Sequence, residues 1–234
     1  MPRWSGCSWS RRRCPPWAAL TGGPRRRCAG STNAGASRNS PAIGQDGGVH
    51  LSAAFSAVEA VPASERPDLL APAVAAAIGA VPDALVFPID PDLADTEALC
   101  AAYGLPLLDS VNCVVIRGIR AGDERFAVCL TQATKRVDVN GLVRRRLEAR
   151  RASFAPMEEA VARTGMEYGG ITPVGMPPQW PIWVDSQAVE RDLVCIGSGL
   201  RRSKLLVPGQ ALAALPGAEV VTDLAREIPQ QQPN

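Results

Sequence analysis

Residue 50 divides this chain of 234 residues into two polymers with different prospects of folding. Residues 1–50 carry eight arginines (Arg3, Arg11 to Arg13, Arg25 to Arg27, Arg38) against one acid, Asp46. Residues 51–234 hold 17 basic and 22 acidic residues, so the formal net charge of +2 hides a basic arm joined to an acidic body. The arm has neither a helical nor a strand period, and such a stretch cannot bury enough apolar surface to offset its chain entropy. Residues 1–55 are therefore expected to be a disordered, arginine-rich extension. A transit peptide, a nucleic-acid arm, or sequence translated upstream of a true start near Val49 or Val58 all fit its composition. A folded domain is expected over residues 60–227, with 228–234 as a disordered tail. That length forms a core without a disulfide or metal staple.

Some chemistry is excluded by composition. The only histidine is His50, which leaves the presumed domain without the usual general base or imidazole metal ligand. Cys100, Cys113, Cys129 and Cys195 form no C-x-x-C pair, and the last three sit in apolar runs. They read as buried free thiols, with no histidine to generate a thiolate. No apolar run approaches the roughly 18 residues of a membrane span, and a cytoplasmic protein without membrane partners is expected.

Interleaved helices and strands follow. Glu65 to Ala80 reads as a helix interrupted by Pro72, and Leu85 to Ile89 as a strand. Asp95 starts a helix that stops at Gly104. The runs Asn112 to Ile116 and Phe126 to Leu130, with Gly118 and Gly122 between them, predict an antiparallel hairpin. A helix is expected from Asp138 or Asn140 through Arg151, its outer face carrying Arg144, Arg145, Arg146, Arg150 and Arg151. That face is either solvated or a surface for nucleic-acid phosphates. Pro156 opens the next helix and Gly165 ends it. Strands at 182–184, 193–197, 205–207 and 220–221 and a short helix at 208–215 complete a mixed α/β domain.

The most distinctive segment is Thr164-Gly-Met-Glu-Tyr-Gly-Gly-Ile-Thr-Pro-Val-Gly175. Gly169, Gly170 and Gly175 permit backbone geometries and close approaches closed to other residues, and Pro173 fixes the exit. Such a loop can aim N–H groups at a developing oxyanion, or simply be a cramped helix-to-strand connection. Residue types alone leave both open. Asp185, at the end of an apolar strand, either orients a substrate or initiates a turn. Ser198 either lines a pocket or caps a turn. Lys135 is expected to be an ordinary surface lysine. The glycines of Gly197-Ser-Gly199 lack the third position and the βαβ unit of a dinucleotide fingerprint.

At the glycine-rich loop the chain resembles a family. Gly169-Gly-Ile-Thr-Pro-Val-Gly175 is similar to the G-G-x-[ST]-P-x-G loop of YbaK-like and prolyl-tRNA-editing domains, the aminoacyl-tRNA deacylases. The helix ending in Thr164-Gly165, the strand Trp183-Val-Asp185 and the turn Ile196-Gly-Ser-Gly-Leu-Arg201 match its other pieces in order, over roughly residues 85–225. The resemblance implies a single prolyl-tRNA-synthetase-associated domain with a mixed, barrel-like sheet surrounded by helices. It implies a trans-editing deacylase that hydrolyses the ester of mischarged aminoacyl-tRNA, with a synthetase as a further candidate partner and no metal or organic cofactor. Gly169, Gly170 and neighbouring backbone would bind the ester oxygen, Asn112 the terminal ribose or phosphate, and Asp185 the amino-acid end. Ile171, Thr172, Pro173, Ser198, Gly199 and Arg201 would complete the substrate site. Two positions depart from the pattern. Asn112 stands where the family usually carries lysine, and Lys204 where many relatives carry an acid. A non-catalytic binding module of the same fold, or a hydrolase of small aminoacyl esters, are the alternative functions.

Overall fold

A computed structural model describes residues 53–228. The expectations for residues 1–52 and 229–234 lie outside the described residues. Ala53–Phe55 forms a single 3₁₀ turn, and Phe55 and Val58 are buried. Two sheets face each other, and their inner faces share one hydrophobic core. The four-stranded sheet has the order β1 (Val61–Pro62), β2 (Leu85–Pro88), β9 (Ser203–Val207), β8 (Val194–Gly197), all antiparallel. The five-stranded sheet has the order β10 (Ala218–Val221), β7 (Ile182–Asp185), β4 (Asp123–Gln132), β3 (Val111–Arg120), β6 (Arg151–Phe154). Pairs β10–β7 and β7–β4 are parallel; β4–β3 and β3–β6 are antiparallel. A small antiparallel ribbon joins β5 (Lys135–Val137) to β11 (Ala225–Glu227).

The mixed α/β class is therefore as expected, but the barrel-like closure is not. Both larger sheets are open, and among the described residues only an isolated bridge between Ser110 and Cys195 links them. Strand period explains the arrangement. Val128 and Leu130 of β4 and Leu205 and Val207 of β9 point into the shared core. Their neighbours point outward: Ala127 and Cys129 toward Val143 and Leu147, Leu206 toward Phe55 and Leu99. Each strand is apolar on both faces, so the runs read as continuous.

Helices close the ends and outer faces. α1 (Pro72–Ala77) begins at Pro72 rather than at Glu65, because proline suits the first helical position and lacks the N–H an interior position needs. α2 (Thr96–Tyr103) follows N-cap Asp95 and ends at Gly104, which takes the left-handed conformation. The 121–122 turn carries positive φ at both Ala121 and Gly122, the geometry of a tight hairpin. Gly118 lies instead within β3, where a side chain would meet Ala149 and Leu147.

The expected helix through Arg151 is much shorter. Asp138 accepts from Gly141 and Leu142 N–H at 3.1 Å each, starting a wide turn at Val139–Val143 that runs into α3 (Arg144–Arg146). Glu148 then adopts a positive φ, and Arg151 opens β6 against β3. β6 is largely exposed, so no apolar alternation marked it. α4 (Met157–Thr164), α5 (Ser186–Val189) and α6 (Gly209–Ala213) complete the domain. Among the described residues no helix is long and apolar enough to cross a membrane.

Candidate functional site

A cleft of about 290 Å³ opens beside the start of β3, between α2, the 168–171 loop and the β8–β9 pair. Its construction begins with Gly197. A methyl group there would collide with the carbonyls of Gly170 and Ile171, so the absent side chain lets the loop lie directly on β8. Gly199 donates to Gly170 O at 2.7 Å and accepts from Glu167 N–H at 2.8 Å. Arg201 then staples the loop from outside, its guanidinium donating to Tyr168 O at 3.1 Å and to Pro91 O at 3.0 Å. Gly197→Ala is expected to destabilise the fold by about 1–3 kcal/mol, the usual cost of overpacking, read as a lowered midpoint in urea unfolding.

The walls carry few polar groups. Asn112 accepts a hydrogen bond from Thr96 Oγ1 at 2.7 Å through its Oδ1, which leaves both Nδ2 protons as donors. Gly169 has φ +82°, and its N–H and that of Ile171 have no acceptor among the described residues. Lys204 reaches in from β9, opposite Gly197. Its ammonium donates to Ala94 O at 2.9 Å and Gly169 O at 3.1 Å, and the residue is only 5% exposed. Burial pushes the Lys204 ammonium below its ordinary range; Cys195 opposes the shift, Arg201 adds to it, and Asp95 and Cys100 oppose it. Cys195 also lines the cleft. Burial pushes its thiol up to about 12, so it is no thiolate nucleophile. Exposed Tyr168 stands at the rim.

Of the residues singled out from the sequence, Asn112, Gly169 and Ile171 meet in this cleft. Gly170 does not line it. Its N–H donates to Glu167 O at 3.0 Å and is unavailable to an ester oxygen, while its missing side chain makes room for the Leu200 backbone. Thr172 is fully buried and its hydroxyl has no partner among the described residues; Pro173 lines a separate small cavity. Ser198 bonds Ser203 O at 2.9 Å and shares a hydrogen bond with Ser203 Oγ at 2.8 Å. Gly199 packs against Ala71 and Val74 with φ +85°. Arg201 is the staple described above.

Asp185 also lies outside the cleft. It caps α5 by accepting from Gln187 N–H at 3.0 Å, and Lys135 Nζ lies 3.5 Å from its Oδ2. The expectation of a surface Lys135 is overturned, since the residue is 7% exposed. Sequence reasoning named Lys204 only as a departure from the family pattern and did not place Thr96 or Tyr168 in the site. Lys204 had a signal, being a charged residue beside the apolar run Leu205 to Val207 of β9. Thr96 had none, and Tyr168 only its place in the glycine-rich segment.

A family profile described as the aminoacyl-tRNA editing domain matches residues 90–215, just over half of the chain. The chain belongs to this family. Every residue lining the cleft, from Ala94 to Lys204, falls inside the editing-domain match. No curated protein matches the chain. Among solved structures, a candidate trans-editing enzyme for prolyl tRNA synthetase is 24% identical with a TM-score of 0.51, covering 58% of this chain and 83% of that one. The hypothetical protein APE2540 is 22% identical with a TM-score of 0.53, covering 60% and 90%. A chain from a study grafting epitope backbones onto scaffold proteins is 23% identical with a TM-score of 0.54, covering 65% and 97%. At these identities the likeness establishes the shared mixed α/β fold of the editing domain.

Proposed function

We propose that this editing domain is a deacylase that hydrolyses the ester joining a wrong amino acid to the 3′ end of tRNA. The observation that carries this reading is one small cleft inside the family match, lined by residues whose hydrogen-bond donors have no acceptor among the described residues. These donors are Asn112 Nδ2 and the Gly169 and Ile171 N–H groups. An aminoacyl ester is already activated, so a positioned water and donors for the developing oxyanion suffice without a histidine. Water adds to the ester carbonyl, the bond to the ribose oxygen breaks, one water proton goes to the ribose oxygen and the other to solvent, and the amino acid leaves as its carboxylate. Gly169 and Ile171 N–H face the ester oxygen, and Asn112 holds the terminal ribose or phosphate. Gly170, Thr172, Pro173, Ser198, Gly199, Arg201 and Asp185 support the site rather than touch substrate. The partner is mischarged aminoacyl-tRNA, with a synthetase as a second candidate, in the cytoplasm.

The test is release of labelled amino acid from a panel of alanyl-, cysteinyl-, seryl- and prolyl-tRNAs by the full chain. Release above the spontaneous rate from one or two members is expected. No release from any member, with the protein folded, would leave the non-catalytic binding module. Turnover of small aminoacyl esters alone, independent of salt and of the tRNA body, would favour the small-ester hydrolase.

A further inference from the structure

We propose that Lys204 is a catalytic residue of this cleft, its ammonium donating the third of its hydrogen bonds to the ester carbonyl oxygen of the bound aminoacyl group. The inference rests on the deacylase reading above. Among the described residues Lys204 forms no salt bridge, because every ion pair of a lysine belongs to Lys135. Its side chain is held by two backbone carbonyls, Ala94 O and Gly169 O. An ammonium has three donors, so one remains without an acceptor among the described residues, and the residue lines the cleft.

A buried cation that lacks a carboxylate partner is costly in a folded protein. The same position becomes favourable when negative charge develops beside it in a site that excludes water. In the ester's ground state the carbonyl oxygen carries only a partial charge; once water has added, it carries a full one. The interaction with Lys204 therefore strengthens along the reaction, which is the condition for raising kcat rather than only lowering KM.

The surroundings make Lys204 the group suited to this role. The only other charged side chain lining the cleft is Asp95, whose charge is of the wrong sign. Asn112 offers donors without charge, and Gly170 N–H is engaged elsewhere. Gly197, opposite Lys204 on β8, contributes no side chain that would screen the ammonium. The bond to Gly169 O also places the ammonium against the loop whose Gly169 and Ile171 line the same cleft. No proton moves to or from Lys204: the ammonium stays protonated, and the atoms balance as water plus ester giving amino acid and ribose hydroxyl.

The test compares wild type with Lys204→Gln, Lys204→Met and the double variant Asn112→Lys/Lys204→Gln, on whichever aminoacyl-tRNA the wild type hydrolyses. Lys204→Gln keeps amide donors for one or both carbonyls and loses the charge, so it reports on the cation even where Lys204→Met fails to fold. A loss of about 10²–10³ in kcat with little change in KM is expected for Lys204→Gln. The double variant should recover at least tenfold of that loss, since position 112 opens on the same cleft. A merely structural pin on Gly169 O would not be relieved by a cation on β3. Wild-type turnover with Lys204→Gln within threefold of it overturns the role of Lys204 and leaves the deacylase reading standing. A folded wild type that releases no amino acid overturns both.

Discussion

Lys135→Met should remove about 3–5 kcal/mol of folding free energy, with no direct effect on the cleft. Lys135 and Asp185 are both buried, their side chains 5% and 3% exposed, with Nζ and Oδ2 3.5 Å apart. Without the lysine, Asp185 keeps only its bond from Gln187 N–H, and a carboxylate so enclosed is left without a counter-charge. Glu227, the other acid near Lys135 at 3.9 Å, is solvent-exposed and does not suffer in the same way. Urea unfolding of Lys135→Met measures the loss. Adding Asp185→Asn to it should recover a substantial part, because the uncompensated charge is then gone. A shift below about 1 kcal/mol in the single variant would show that water reaches this pair.

Asn112→Asp should lower kcat/KM for deacylation by about 10²–10³, with the fold retained. The exchange keeps the acceptor that Thr96 Oγ1 bonds at 2.7 Å while replacing the Nδ2 donors with a second oxygen, and it adds a negative charge where the terminal ribose or phosphate is to bind. Asn112→Ala, which removes the donor without adding charge, should fall between Asp and wild type. Single-turnover release of amino acid separates the two variants. Equal rates for Asn112→Asp and wild type would mean that position 112 does not face the substrate.

The core was legible in the sequence wherever period and composition spoke together. The runs around Val114 and Val128 gave the hairpin, and Asp95 and Gly104 bracketed α2. β6 was hidden because Arg151 to Phe154 has no buried face, and the early end of α3 because a positive φ at Glu148 leaves no mark in residue type. The glycine-rich loop was found, but not the division of labour within it. Which of Gly169 and Gly170 keeps a free N–H depends on Glu167 O lying above the second of them. Asp185 entered the expected site through the family resemblance and its place at a strand end, and packing sets its carboxylate against Lys135.

The rarity of lysine carries a signal of its own. It occurs at positions 135 and 204 alone, whereas arginine supplies all other side-chain cations of the chain. The guanidinium is a planar fork matched to carboxylates, whereas the ammonium is a compact point charge on a flexible stem. A chain that draws its surface cations from arginine and keeps two lysines in apolar surroundings is marking enclosed positions.

Both of those amines being enclosed also bears on acyl capture. Activated acyl groups are taken up by unprotonated primary amines, and a guanidinium, which does not lose its proton near neutrality, is inert to them. The described surface of this domain bears guanidinium groups and no lysine amine. On the deacylase reading, this exterior offers reactive esters no lysine side chain on which adducts would accumulate.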